Sequence, residues 1–163
     1  MRVVSNTSPG SNLAAIGRLD LLRAQFREVL VPEAVARELE NIPHPSAGAL
    51  IEQAIREGWI RIQAVGQERI IRLLASGLHP GEAEAIALAL ETGADIVLLD
   101  ERDGRSMAVR LGLRVTGVLG VLLRAKRTAG ISSLRSELEA LRSTAGFFIA
   151  SRLEEEILKS AGE

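Results

Sequence analysis

The sequence has no cysteine and no tyrosine, one tryptophan, three phenylalanines and only two histidines, His44 and His79. Without cysteine there is no disulfide, no thiolate zinc site and no cysteine nucleophile. Two histidines are too few for a His-rich metal site. Few aromatics argue against a base-stacking platform of the single-strand-binding kind. An excess of either charge is also lacking: the formal net charge is −1 over 163 residues. That argues against a strongly basic nucleic-acid clamp while leaving nucleic acid open as a substrate. No apolar run reaches the length of a bilayer span, and the N-terminal MRVVSNTSP has no long apolar stretch. The expectation is a soluble, cytoplasmic protein with no membrane contact. Neither a Walker A loop nor a GxGxxG motif occurs, so a nucleotide-cofactor enzyme has little support.

Apolar residues make up 47% of the chain, enough for a sizeable core. Five short apolar runs read as strands: Arg2 to Ser5, Glu28 to Val31, Ile60 to Val65, Ala94 to Leu99 and Leu113 to Thr116. Helical patterns alternate with them. Ser11-Asn12 offers an N-cap for a helix through Leu13, Ile16 and Leu22, and Pro32 opens a helix over Glu33 to Glu40. Asn41 to Ala47 reads as a loop, followed by helices near 48–57, 67–76, 82–91, 105–111 and 117–129. Two amphipathic helices, about 133–142 and 149–160, close the chain. Alternating strands and helices predict a parallel, doubly wound α/β sheet with right-handed crossovers. One domain over residues 1–163 is the economical reading, with 130–163 a helical extension packed on it.

The chain is organised around residues 79–105, HPGEAEAIALALETGADIVLLDERDGR. An amphipathic helix beginning at Glu82 leads into the apolar strand Ile96 to Leu99, which ends in Asp100-Glu101. Open α/β folds bind ligands at the carboxyl ends of such strands, so Asn6 and Asp100 belong to one edge. Glu38, Glu82 and Glu101 are further acids that can reach it. Carboxylates without His or Cys form an all-oxygen environment suited to Mg²⁺ or Mn²⁺. Such an ion polarises a phosphodiester and lowers the pKa of an attacking water. Each residue also has a plain structural role: Asp100 as N-cap of the next helix, Glu82 as a favourable charge in a first turn, Glu38 as solvated surface. Glu84 and Glu91 read as mostly solvated, although Glu84 is an alternative to Glu82. His44 and His79 read as loop residues before proline. Arg102 and Arg105 suit either a phosphate or surface salt bridges. Gly117 and Gly120 suit close helix packing or the close approach of backbone to a ligand. The helix Val118 to Leu123 suits a dimer surface or the core.

Taken in order, these residues resemble the PIN-domain nucleases, and most closely a PIN-like prokaryotic family related to VapC-type toxins. The blocks that carry the likeness are Val3-Val4-Ser5-Asn6-Thr7-Ser8-Pro9, Val31-Pro32-Glu33-Ala34-Val35 with Glu38-Leu39, Gly81-Glu82-Ala83-Glu84-Ala85-Ile86-Ala87, and Leu99-Asp100-Glu101-Arg102. Thr116-Gly117, Gly146-Phe147 and Ala161-Gly162-Glu163 continue it. The resemblance implies a PIN-like three-layer α/β/α fold with a five-stranded parallel sheet plus C-terminal helices. It further implies Mg²⁺ or Mn²⁺ as cofactor and RNA as substrate.

Carried over by position, the metal ligands are Asn6, Glu38, Glu82 and Asp100. Thr7 is the small hydroxyl residue that orients the first of them or a bound water. Asn6 stands where active PIN nucleases carry aspartate. Its amide oxygen can still coordinate a hard cation but brings no charge and cannot act as a base. The functional expectation is a metal-dependent ribonuclease, the toxin of a toxin–antitoxin pair, with a cognate antitoxin as partner and a homodimer as its assembly. The alternative is a non-catalytic module that binds RNA or protein through a degenerate site.

Overall fold

The five apolar runs pair into one sheet in the computed structural model, which describes residues 1–163. The strands are β1 (Val3–Ser5), β2 (Val29–Val31), β3 (Ile60–Ile62), β4 (Ile96–Leu98) and β5 (Val115–Thr116). All pairs are parallel, in the order β3-β2-β1-β4-β5. Val4 at the centre pairs with Leu30 on one side and Val97 on the other. The order turns outward in both directions from β1, so the crevice beyond β1 and β4 is the switch point where such sheets hold ligands.

Successive side chains of a strand face opposite ways, and the two faces feed two cores. Val3, Val29, Val31, Ile96 and Leu98 join one cluster. Val4, Leu30, Val97 and Leu99 join the other. The first is covered by α1 (Thr7–Ala15), α2 (Asp20–Phe26), α3 (Glu33–Glu40), α4 (Pro45–Arg56), α8 (Val118–Arg127), α9 (Leu134–Thr144) and α10 (Ser151–Ser160). The second is covered by α5 (Glu68–Ala75), α6 (Pro80–Thr92) and α7 (Arg102–Arg110). The result is a three-layer α/β/α arrangement. No helix is long and apolar enough to cross a membrane.

Several boundaries differ from the sequence reading. The first helix starts at Thr7, not after Ser11, and places Pro9 in its first turn. First-turn N–H groups have no partner within the helix, so a proline there forfeits nothing. Gly17, at φ +70, separates α1 from α2 where one helix was expected. The loop reading of 41–47 ends early: His44 Nδ1 accepts from Ala47 N–H at 3.2 Å and Pro45 opens α4. β3 stops at Ile62. The central helix α6 is not amphipathic but buried almost all round, with Gly81 to Ala83 and Ala85 to Ala89 enclosed. It lies between the sheet, α3 and α5, and full burial of Ile86 and Leu88 contributes about 1.5–3 kcal/mol each.

The C-terminal helices are fastened by charge as well as by apolar contact. Arg18 donates to the buried Glu137 Oε1 at 2.6 Å, tying α9 to the α1–α2 turn. Glu163 accepts from Leu134 N–H at 2.6 Å and pairs with Lys126 at 3.4 Å, so the last residue closes the start of α9. These hydrogen bonds hold the Glu163 carboxyl below its ordinary range. α8 spends Val118, Val121 and Leu122 on the core, which removes them from any dimer surface.

Candidate functional site

Four elements deliver oxygen-bearing side chains to the switch point. Asn6 follows β1, and its N–H donates to Leu98 O at 3.0 Å, locking it beside β4. It stands at the N-cap position of α1, but its side chain makes no capping bond. Glu38 comes from the last turn of α3, and Glu82 is the third residue of α6. Thr7, Ser8 and Ser11 come from α1, His79 and Pro80 from the start of α6, and Glu101 from the N-cap of α7. Together these nine residues line a pocket of about 400 Å³ with no hydrophobic side chain in its wall.

Two glycines set the spacing. A Cβ on Gly81 would lie 2.8 Å from Glu38 Oε1 and 2.9 Å from Asn6 Oδ1. Those two oxygens therefore converge on a point that only glycine leaves free. A Cβ on Gly104 would press on the Glu82 carboxyl at 3.3 Å. Glu82 is only 3% exposed, and its Oε1 has no hydrogen-bond partner. Burial raises the Glu82 pKa, the neighbouring Glu101 raises it further, and His79 opposes both. Thr7 Oγ1 donates to Glu38 Oε2 at 2.5 Å, so this hydroxyl orients the second acid of the set and not Asn6.

Asp100 lies beside this pocket, not in its wall. Its Oδ2 accepts from Ser8 Oγ at 2.8 Å and its Oδ1 from Val118 N–H at 2.7 Å. It thus caps α8, the helix after next, and not α7. Burial raises its pKa against the pull of the Val118 N–H, the Ser8 hydroxyl and Arg105. Gly117 makes room for it, since a Cβ there would sit 2.5 Å from Asp100 Oδ1. Arg105 donates to Leu99 O at 2.8 Å, and neither it nor Arg102 forms the salt bridge that was one reading of them.

The two glutamates read as solvated are bound to backbone. Glu84 Oε2 accepts from Ala34 N–H at 2.7 Å, in the first turn of α3, where a carboxylate meets unpaired donors. Glu91 accepts from Gly66 N–H at 3.0 Å. Glu84 is committed to α3 and stands apart from the pocket that Glu82 lines.

The sequence profile of DUF3368, described as a PIN domain, matches residues 2–163. The chain is a PIN domain. Among curated proteins none matches it. PIN domains have a nuclease-type fold and generally act with divalent metals.

In this PIN domain the donors fit a hard divalent ion by their chemistry. They are carboxylate, amide and hydroxyl oxygens, and one buried carboxylate oxygen lacks a partner. As the side chains stand, no three acidic or imidazole groups close on one point. Glu38 is held by Thr7 and Asp100 by Ser8 and Val118. Asn6, Thr7, Glu38 and Glu82 are the expected site residues in this wall, and Ser8, Ser11, His79, Pro80 and Glu101 complete it. Ser8 was hidden by the misplaced helix start. Glu101, one of the acids expected to reach this edge, and His79, expected to be a structural loop residue, both line the pocket. The contrast between the histidines is a usable signal: both precede proline at a helix start, but only His44 spends its side chain on a cap.

Proposed function

We propose that this PIN domain is a divalent-metal-dependent ribonuclease that cleaves RNA phosphodiesters, and that it serves as the toxin of a toxin–antitoxin pair. The observation that carries the catalytic reading is the buried Glu82 carboxylate, with an unpartnered oxygen, in the pocket where the Glu38 and Asn6 oxygens converge on Gly81. A carboxylate does not remain ionised in such a place without a compensating cation. Glu38, Glu82 and Asn6 would hold Mg²⁺ or Mn²⁺. The chemistry such an ion supplies is polarisation of a phosphodiester and acidification of water.

The remaining work falls to this chain's own groups. Thr7 fixes the rotamer of Glu38. Gly81 keeps the two oxygens on its surface close together. Ser8 and Asp100 brace the start of α1 against the start of α8, so that Asn6 keeps its place at the pocket wall. Glu101 and His79 stand at the mouth, where a phosphate and its leaving oxygen would pass. The toxin role rests on the family likeness, and an antitoxin helix lying in a surface groove would be its partner.

The second reading, a non-catalytic RNA- or protein-binding module, is favoured by one feature. Asn6 brings no charge, and both oxygens of Asp100 are engaged, so fewer free carboxylates face the pocket than four ligands would provide. Cleavage of labelled RNA with Mn²⁺ separates the two. The nuclease reading expects wild-type cleavage that a chelator stops. Cleavage by Asn6→Asp alone identifies a degenerate site, and cleavage by neither removes the nuclease reading.

A further inference from the structure

The near-zero net charge hides a sharp division. Residues 102–136 hold eight of the chain's 20 basic residues and only one of its 21 acidic ones. This segment is α7, β5, α8 and the turn into α9, the whole β5 end of the sheet. Arg102, Arg110, Arg114 and Arg124 there have no carboxylate within salt-bridge distance. Arg124 instead lies over the Phe26 ring, 6.0 Å from its centre.

Two hollows on this flank lead toward the carboxylate pocket and stop one hydrogen-bonded pair, Ser8 and Asp100, short of it. Arg114, Thr116 and Arg124 line a hollow of about 200 Å³ between α2, β5 and α8. A second hollow, about 230 Å³, holds Arg105 and Asp100. Thr116 and Gly120 belong to both. A Cβ on Gly120 would lie 2.2 Å from Thr116 Oγ1, so glycine keeps the saddle between them low. Ser8 then joins Asp100 to the carboxylate pocket. The first hollow also encloses Gln25, whose Oε1 is buried without a partner while its Nε2 donates to Val121 O.

We infer that the β5 flank is the track on which a single-stranded RNA backbone lies as it leaves the carboxylate pocket, with Arg114 and Arg124 neutralising its phosphates. The inference deepens the ribonuclease reading and rests on it for the identity of the strand. A polyanion is repelled by the pocket acids and needs an adjoining basic surface to stay bound. The β5 flank is the surface that supplies it.

The test is fluorescence anisotropy of a labelled single-stranded RNA in metal-free buffer with chelator, where no cleavage runs. Arg114→Ala/Arg124→Ala should weaken binding about tenfold or more and lower the slope of log affinity against log salt by about 1.4, two contacts at about 0.7 each. Arg114→Lys/Arg124→Lys should bind within about threefold of wild type, since a phosphate accepts either cation. Arg69→Ala/Arg72→Ala, the same charge change on α5, should leave binding and slope unchanged. Melting curves establish that each variant is folded. Loss of affinity and slope in the alanine pair alone supports the track even if the wild type cleaves nothing with Mn²⁺, in which case only the nuclease reading fails. No binding by wild type, an unaffected alanine pair, or an equal loss in the α5 control overturns it.

Discussion

Ser8 and Asp100 are joined across the switch point, hydroxyl to carboxylate, at 2.8 Å. The bond ties the first turn of α1 to the end of β4, while Val118 N–H holds the other Asp100 oxygen at 2.7 Å. One carboxylate therefore fastens two helices to the sheet edge. Asp100→Ala should destabilise the fold by about 1–3 kcal/mol, because a buried N–H and a hydroxyl lose their acceptor. Asp100→Asn keeps an acceptor for Val118 and should lose less. Urea denaturation measures the difference. Lost cleavage in the alanine variant then mixes stability with chemistry, whereas the asparagine variant removes the charge and the Ser8 acceptor while keeping the Val118 bond.

The glycines make a second, sharper distinction. Gly81→Ala places a methyl against the Glu38 and Asn6 side-chain oxygens. The end of Glu38 can swing away, so the melting temperature should change little while Mn²⁺-dependent function falls. Gly117→Ala meets the Leu99 carbonyl at 2.9 Å as well as Asp100. Backbone cannot move aside, and a loss of about 1–3 kcal/mol in stability is expected. Thermal melts of the two variants should separate clearly.

Glu82 gives a pH dependence with a definite sign. Burial first, and Glu101 second, hold its pKa above the ordinary carboxylate range. The native state therefore binds this proton more tightly than the unfolded chain. Its contribution to stability is complete below the unfolded-state pKa and is lost as pH rises through the raised native value. Metal-free Glu82→Gln should be more stable than wild type at neutral pH, and the gain should vanish as pH falls below the carboxylate range. A gain that persists in acid would contradict this cause.

Much of this was legible from residue pattern, and the exceptions share a reason. The three central strands are visible because buried parallel strands read as unbroken apolar runs, whereas the outer β3 and β5 are less buried and are marked by their short β-branched segments between turns. The helix Glu33–Glu40 has the bounds that Pro32 and the apolar spacing of Val35 and Leu39 predict. The start of α1 was missed because Ser8-Pro9 looks like a stop, whereas proline is tolerated in a first turn. The bonds of Glu84 to Ala34 N–H and of the exposed Glu91 to Gly66 N–H are invisible in sequence, because a carboxylate bound to a distant N–H looks like a merely solvated one. Asn6, Glu38 and Glu82 share a pocket, as their family positions suggest, but the engagement of Asp100 depends on Ser8 and Val118, one of them 92 residues away in the chain. No local pattern carries that information.

A bound cation should be visible without activity. Mn²⁺ should raise the melting temperature of wild type, as any ligand that prefers the native state does. The shift should be smaller in Glu82→Gln, which removes the buried charge, and larger in Asn6→Asp, which adds one. Differential scanning fluorimetry across a Mn²⁺ titration measures all three. Equal shifts in the three proteins would place the ion elsewhere.

In the proposed nuclease site Glu82, and not its neighbour Glu84, is the acid of α6 that faces the pocket. The most direct measurement is Mn²⁺-dependent cleavage of RNA by Glu82→Gln and Glu84→Gln beside wild type. Wild type and Glu84→Gln should cleave at similar rates while Glu82→Gln does not. Undiminished cleavage by Glu82→Gln, or none by wild type, would contradict it.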